Sequence, residues 1–256
     1  MGTRMNRRIF LKRLGGVASS AVLPSVQAAG GGFAIAPAST QLVTGVADGW
    51  SSTTVRLQRW ERKSGGPWQP VGVSWQGRLG GAGLIWGRGL HPTPPGAPLK
   101  REGDKRAPAG VFALGTACGY DRDIVRHPDQ PYFQVTARDL WIEDPASPQY
   151  NTHVRLERAP RTPWEKKAQM RQGDYAHSLK LFIRHNAPPR VVAGGGSSIF
   201  FHIWRAGGSK ASIGCTTMSE AKLRELIAWL NPRRLPVYVL LPQAEYDARR
   251  AAWGLP

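Results

Sequence analysis

The chain has 256 residues, 41% of them hydrophobic, enough to bury a full core as one large domain. Thirty glycines, twenty-one prolines and ten tryptophans argue against a helical bundle and for short strands joined by tight turns, because Gly and Pro both interrupt helices. The 35 Lys and Arg against 17 Asp and Glu leave a formal charge of +18; this favours polyanions or anionic surfaces as partners. Scattered arginines, with no zinc-finger spacing, ribonucleoprotein motif or phosphate-cradling loop, speak against nucleic acid.

The first element in chain order is an export leader. Asn6-Arg7-Arg8-Ile9-Phe10-Leu11-Lys12 pairs two arginines with apolar residues, and a small-residue stretch runs from Leu14 to Leu23. This order is that of a twin-arginine export signal. Val26-Gln27-Ala28 after Pro24 offers a cleavage site, so the predicted leader is 1–28. The apolar stretch is too short for a bilayer, which needs ~20 mainly apolar residues; no stable membrane span is expected after processing. Twin-arginine machinery is then a partner, and the location is periplasmic or cell-envelope. Residues 29–40 read as a Gly- and Ala-rich linker, 41–243 as the main folded domain and 244–256 as a C-terminal tail.

Within the domain, Val55, Leu57 and Arg59 alternate with Arg56, Gln58 and Trp60, the period-2 mark of a half-exposed strand. Val71–Trp75, Gly110–Leu114, Tyr132–Thr136, Val154–Leu156, Leu179–Ile183, Ile199–Trp204 and Val237–Leu241 have the same character. The clearest helix is predicted over Glu220–Leu230, where Leu223, Leu226, Ile227 and Leu230 form one apolar face. Thr217 and Glu220 have capping-box spacing before it, and Asn231-Pro232 stops it.

Cys215 lies two residues before that expected cap. Helix-end amides and dipole would favour its thiolate and lower its pKa. His202 sits thirteen residues upstream on a strand, on the same face as Phe200 and Trp204. A loop through Ala206-Gly207-Gly208-Ser209 can return the cysteine to the imidazole. Nucleophile, proton acceptor and amide donors for an oxyanion, here the N–H groups of Gly214 and Cys215, are the parts that acyl transfer needs. Ser212, Trp204 and Thr217 are candidate substrate contacts. Asp104, Asp144 and Tyr150 could shape the cleft or serve only turns and packing.

Cys118 is expected to be a small buried side chain, with a disulfide to Cys215 as the competing arrangement. His91, His127, His153, His177 and His185 read as surface or core histidines. Two cysteines without paired C-x-x-C spacing give no metal site.

The run Gly196-Ser197-Ser198-Ile199-Phe200-Phe201-His202-Ile203-Trp204, followed by Ser212-Ile213-Gly214-Cys215, resembles the catalytic core of the L,D-transpeptidase family of YkuD type, in its Phe-x-His-x-Trp branch. Pro108-Ala109-Gly110-Val111-Phe112 with its charged approach from Lys100 is similar to the family's Pro-x-Gly-x-Phe segment. Trp141-Ile142-Glu143-Asp144-Pro145, Tyr150-Asn151 and Gly173-Asp174-Tyr175 extend the likeness over about Gln41 to Pro242.

The resemblance implies a mainly β fold with a few helices, a β-sandwich-like catalytic domain acting on peptidoglycan stem peptides without a cofactor. Cys215 would be the nucleophile and His202 the proton donor and acceptor. The thioester would pass to an amine or to water. Two positions depart from the pattern: Ile213 stands where most of the family has histidine, and Thr217 where arginine is frequent. They motivate the alternative of a catalytically silent, basic wall-binding module of the same fold.

Overall fold

The computed structural model describes residues 32–256; the expected leader lies outside the described residues. Twelve strands follow one another: β1 (Gln41–Ala47), β2 (Thr54–Glu61), β3 (Gln69–Arg78), β4 (Leu84–Trp86), β5 (Ala107–Gly119), β6 (Tyr132–Gln134), β7 (Asp139–Trp141), β8 (His153–Arg155), β9 (Leu179–Ile183), β10 (Phe200–Ile203), β11 (Thr216–Met218) and β12 (Val237–Pro242). Three helices join them: α1 (Pro163–Lys167), α2 (Glu220–Trp229) and α3 (Gln243–Trp253). The fold is mainly β, as the composition and the resemblance imply.

The sheet runs β12-β1-β2-β3-β11-β10-β9-β5, and β5 pairs again with β12, so the path closes on itself. Closure removes the open edges that an unpaired sheet would expose. β4 and β6 extend β5, while β7 and β8 form a separate ribbon. In β2 the expected alternation holds: Val55, Leu57 and Arg59 are buried, Arg56 is exposed and Gln58 and Trp60 are half-buried. Gly110 in β5 is required as glycine: its φ is +135° and a Cβ there would fall 1.9 Å from the His91 ring.

One strand separates the core from the site. On β10, Phe201 and Ile203 enter the main core beside Leu181, Tyr238 and Leu226. Phe200 points to the other face, into a smaller cluster with Cys118, Val135, Trp141, Met170, Phe182 and Cys215. Burying one such aromatic or aliphatic side chain stabilises the fold by about 1.5–3 kcal/mol, so strong packing on both faces holds the strand that carries His202.

Three expectations are corrected. The helix cap is Ser219, whose side chain accepts from Lys222 N; Thr217 belongs to β11, so the Thr217–Glu220 spacing is no capping box. The 244–256 stretch is no free tail, because α3 packs Tyr246 and Trp253 inward. The part of the expected linker that is described is also anchored: Phe33 stacks edge-on against Trp253 at 5.1 Å, and Ile35 N–H donates to Trp253 O.

Candidate active site

The register lays a row of side chains across four neighbouring strands: Cys118 on β5 opposite Lys180 on β9, Lys180 opposite His202 on β10, and His202 opposite Thr217 on β11. All four are buried. Cys215 enters this row's edge just before β11. Its Sγ accepts from Phe200 N–H at 3.4 Å and donates to Ser198 O at 3.4 Å. Cys215 and His202 therefore line the same cleft, of about 480 Å³, with Lys100, Lys210, Ser198 and Thr217 among its other walls.

The tautomer of His202 follows from its partner. Nδ1 lies 2.8 Å from the carbonyl oxygen of Ile203; a carbonyl only accepts, so Nδ1 carries the proton. Nε2 is left with its lone pair free to take another. Burial is the main cause that lowers the His202 pKa to about 3, with His177 next, against the opposing bond to Ile203 O and with smaller contributions from Lys180 and Arg205. The imidazole is thus neutral at pH 7.

The thiol is neutral as well, which overturns the expected thiolate. Burial pushes Cys215 up to about 11, outweighing the Phe200 N–H and the positive charges of Lys100 and Lys180, with Glu143 adding to the rise. The sequence reasoning failed here because β11 and Ser219 stand between the cysteine and the helix, and the Lys222 N–H of the first turn of α2 serves the Ser219 cap.

Gly214 and Ser212 also play other parts than expected. Gly214 N–H donates to Ser212 Oγ at 3.1 Å, and Ser212 Oγ donates to Cys215 O at 2.6 Å. Ser212 thus ties the turn that presents the thiol, and the Gly214 N–H is already spent. Gly214 has φ +151°, which favours glycine, and a Cβ there would crowd Arg106 O at 3.2 Å and Ile199 Cδ1 at 3.3 Å, with Lys100 Nζ also near the turn. Trp204 stands off the cleft: it packs against the main core, with Gly208 laid flat on its ring. Thr217 does line the cleft, and its buried Oγ1 has no partner among the described residues. Ile213, 81% exposed, sits on the rim.

Several residues in and around the cleft escape sequence reasoning because the fold alone unites them. His177 stacks on His202 with ring centroids 4.8 Å apart, and its Nδ1 donates to Asp174 at 2.8 Å; Asp174 is also paired with Arg205. The Gly173-Asp174-Tyr175 motif was the nearest signal. Lys180, 3% exposed, donates to Met170 O at 3.0 Å. Lys100 is clamped by Asp104 Oδ1 at 2.6 Å and Arg106 O at 2.8 Å, so Asp104 shapes the cleft through it. Tyr150 donates to Glu102, a cleft residue, whereas Asp144 only caps its own turn at Ala146 N. Asn151 Oδ1 accepts from both Trp141 Nε1 and Ser198 N–H at 3.0 Å, fixing the carbonyl that receives the Cys215 thiol.

Both cysteines are free. Among the described residues no cluster of His, Cys, Asp and Glu is placed to hold a metal, and no helix is long and apolar enough to cross a membrane.

No curated protein and no solved structure matches the chain. The family model of the L,D-transpeptidase catalytic domain, YkuD, matches residues 79–239, a span that contains Lys100, Asn151, His177, Lys180, His202 and Cys215. With more than half its length so matched, the chain belongs to the YkuD family of L,D-transpeptidase catalytic domains.

Proposed function

We propose that this chain is an exported peptidoglycan L,D-transpeptidase working through a thioester on Cys215. The observation that carries the reading is the pairing, in one cleft, of a buried thiol with an imidazole whose free Nε2 is fixed as the acceptor by the Ile203 carbonyl. A neutral thiol facing a neutral base calls for proton transfer in step with attack.

Sγ attacks the carbonyl carbon between the third stem residue and the terminal D-alanine while its proton moves to His202 Nε2. Negative charge developing on the oxygen is received by the Cys215 N–H, which has no acceptor among the described residues, and by the field of Lys100 beside Gly214. The carbon–nitrogen bond then breaks, His202 returns the proton to the departing amine, and a thioester remains. A side-chain amine of a second stem, or water, attacks that thioester, gives its proton through His202 to sulfur and frees the enzyme. The leader expected at 1–28 from the sequence agrees with a location in the envelope, where this substrate lies.

Incubation with a carbapenem, an acylating mimic of the stem amide, followed by intact mass measurement tests the reading. An adduct on the wild type and none on a folded Cys215→Ala variant is the expected result. No adduct on a folded, reduced wild type would shift the assignment to a silent wall-binding module.

A further inference from the structure

A second cavity, of about 270 Å³, shares no lining residue with the catalytic cleft. Three arginines line it, from two places in the chain: Arg88 just after β4, and Arg184 and Arg190 in the loop between β9 and β10. Its other walls include His91, Thr93 and Asn186, and no Asp or Glu. Among the half-buried arginines, Arg126, Arg234 and Arg249 are matched with a carboxylate, of Asp123, Glu61 and Glu245 in turn. None of the ion pairs among the described residues involves Arg88, Arg184 or Arg190.

Two of these guanidiniums are held in place with donors to spare. Arg88 Nη1 donates to Lys100 O at 2.8 Å and Gly195 O at 3.3 Å. Arg184 Nη2 donates to Pro188 O at 3.0 Å. A guanidinium has five N–H donors, so several on each remain for a ligand. Burial alone lowers the Arg184 pKa, with no anion opposing it. Partly burying a charge without a counterion costs free energy, and a bound oxyanion would recover it.

We propose that this hollow binds a phosphate ester. Planar guanidinium forks match oxyanions bidentately, and three forks at one cavity suit a group with several terminal oxygens better than a carboxylate, whose two oxygens lie in one plane. Water takes about 30 Å³ each in the liquid, so the cavity holds a phosphate together with part of the sugar or glycerol that carries it. Phosphate-bearing polymer and free phosphate share this chemistry.

Calorimetric titration of the full chain at about 0.15 M salt tests the site, with three probes: inorganic phosphate, poly(glycerol phosphate) and polygalacturonate. Arg184→Gln and Arg190→Gln are each expected to weaken the phosphate probes about tenfold, the share of one charge-assisted hydrogen bond. Lys167→Gln, at an exposed position on α1, leaves them unchanged. Arg190 is itself exposed, so its variant keeps the test open if Arg184→Gln fails to fold. Binding of the polymer without inorganic phosphate, lost in the arginine variants, supports the site and identifies its ligand as a polymer. Binding that survives both arginine variants, or falls equally with Lys167→Gln, overturns the site in favour of the general positive field. Polygalacturonate bound as tightly and lost in the same variants overturns the phosphate assignment, and no binding of any probe overturns the proposal outright.

Discussion

Two buried polar clusters of this protein are built on opposite principles. Around Asp139, fully buried on β7, five hydrogen bonds converge: from Thr136 N and Oγ1, His153 Nε2, and Arg155 Nε and Nη2, at 2.7–3.1 Å. Around Cys215 and His202, Thr217 Oγ1 has no partner among the described residues, Lys180 uses one of three donors, and the Cys215 thiol has two sulfur contacts at 3.4 Å. The first cluster is saturated and stabilises the fold. The second leaves capacity unused, as a site prepared for a ligand must.

The largest effect expected from this contrast is on stability. Asp139→Ala strands Arg155, His153 and two Thr136 donors, and should cost about 3 kcal/mol in urea unfolding. Carbapenem acylation per folded molecule should stay near the wild-type rate. A stable variant with lost acylation would make Asp139 part of the site and erase the contrast.

Acid should act next. Burial holds His91 at about 4 and His185 and His202 at about 3, below the 6.5 of a free imidazole. The unfolded chain therefore binds these protons first. Their contribution is fully present above pH 6.5 and is lost as pH falls toward 3, by about 1.4 kcal/mol per pH unit for each histidine. His202→Gln should flatten the slope of stability between pH 6 and 4 by one histidine's share; an unchanged slope would mean that His202 is solvated in the folded protein.

Much of the scaffold was legible, because β2 and α2 carry their burial in local periodicity and β9 is a short, mostly apolar run buried throughout. Leu179–Ile183 was placed to the residue, and Leu223, Leu226 and Ile227 are the buried face of α2. α3 escaped because Arg249 and Arg250 interrupt its apolar face, leaving Tyr246 and Trp253 as its buried side chains. Cys215 and His202 stood out as residue types within motifs, yet their protonation did not, since it depends on burial that no local pattern reports. Lys180 and His177 acquire their places only when β9 and the Tyr175–His177 turn pack beside β10.

Lys180 sharpens the contrast on the cleft side. Its ammonium lies one strand from His202, and its charge favours the Cys215 thiolate, as does Lys100, against Glu143. Lys180→Met keeps the length and apolar stem while removing the charge. The midpoint of iodoacetamide alkylation against pH should then move upward by about one unit, or 1.36 kcal/mol. A lower melting temperature with an unmoved midpoint would leave Lys180 a packing residue.

The smallest effect separates the two clusters most finely. A hydroxyl buried without a partner forfeits its hydration for no return, so replacing Thr217 by isosteric valine should leave stability unchanged or raise it by up to about 1 kcal/mol. If that oxygen waits for a substrate group, KM should rise in Thr217→Val while kcat holds, because a ground-state contact is lost and the proton path through His202 is not. The same exchange at Thr136, whose hydroxyl donates to Asp139 at 2.7 Å, should lower stability and leave KM alone. Equal behaviour of the two valine variants would show that the unpaired oxygen of Thr217 has no ligand to meet.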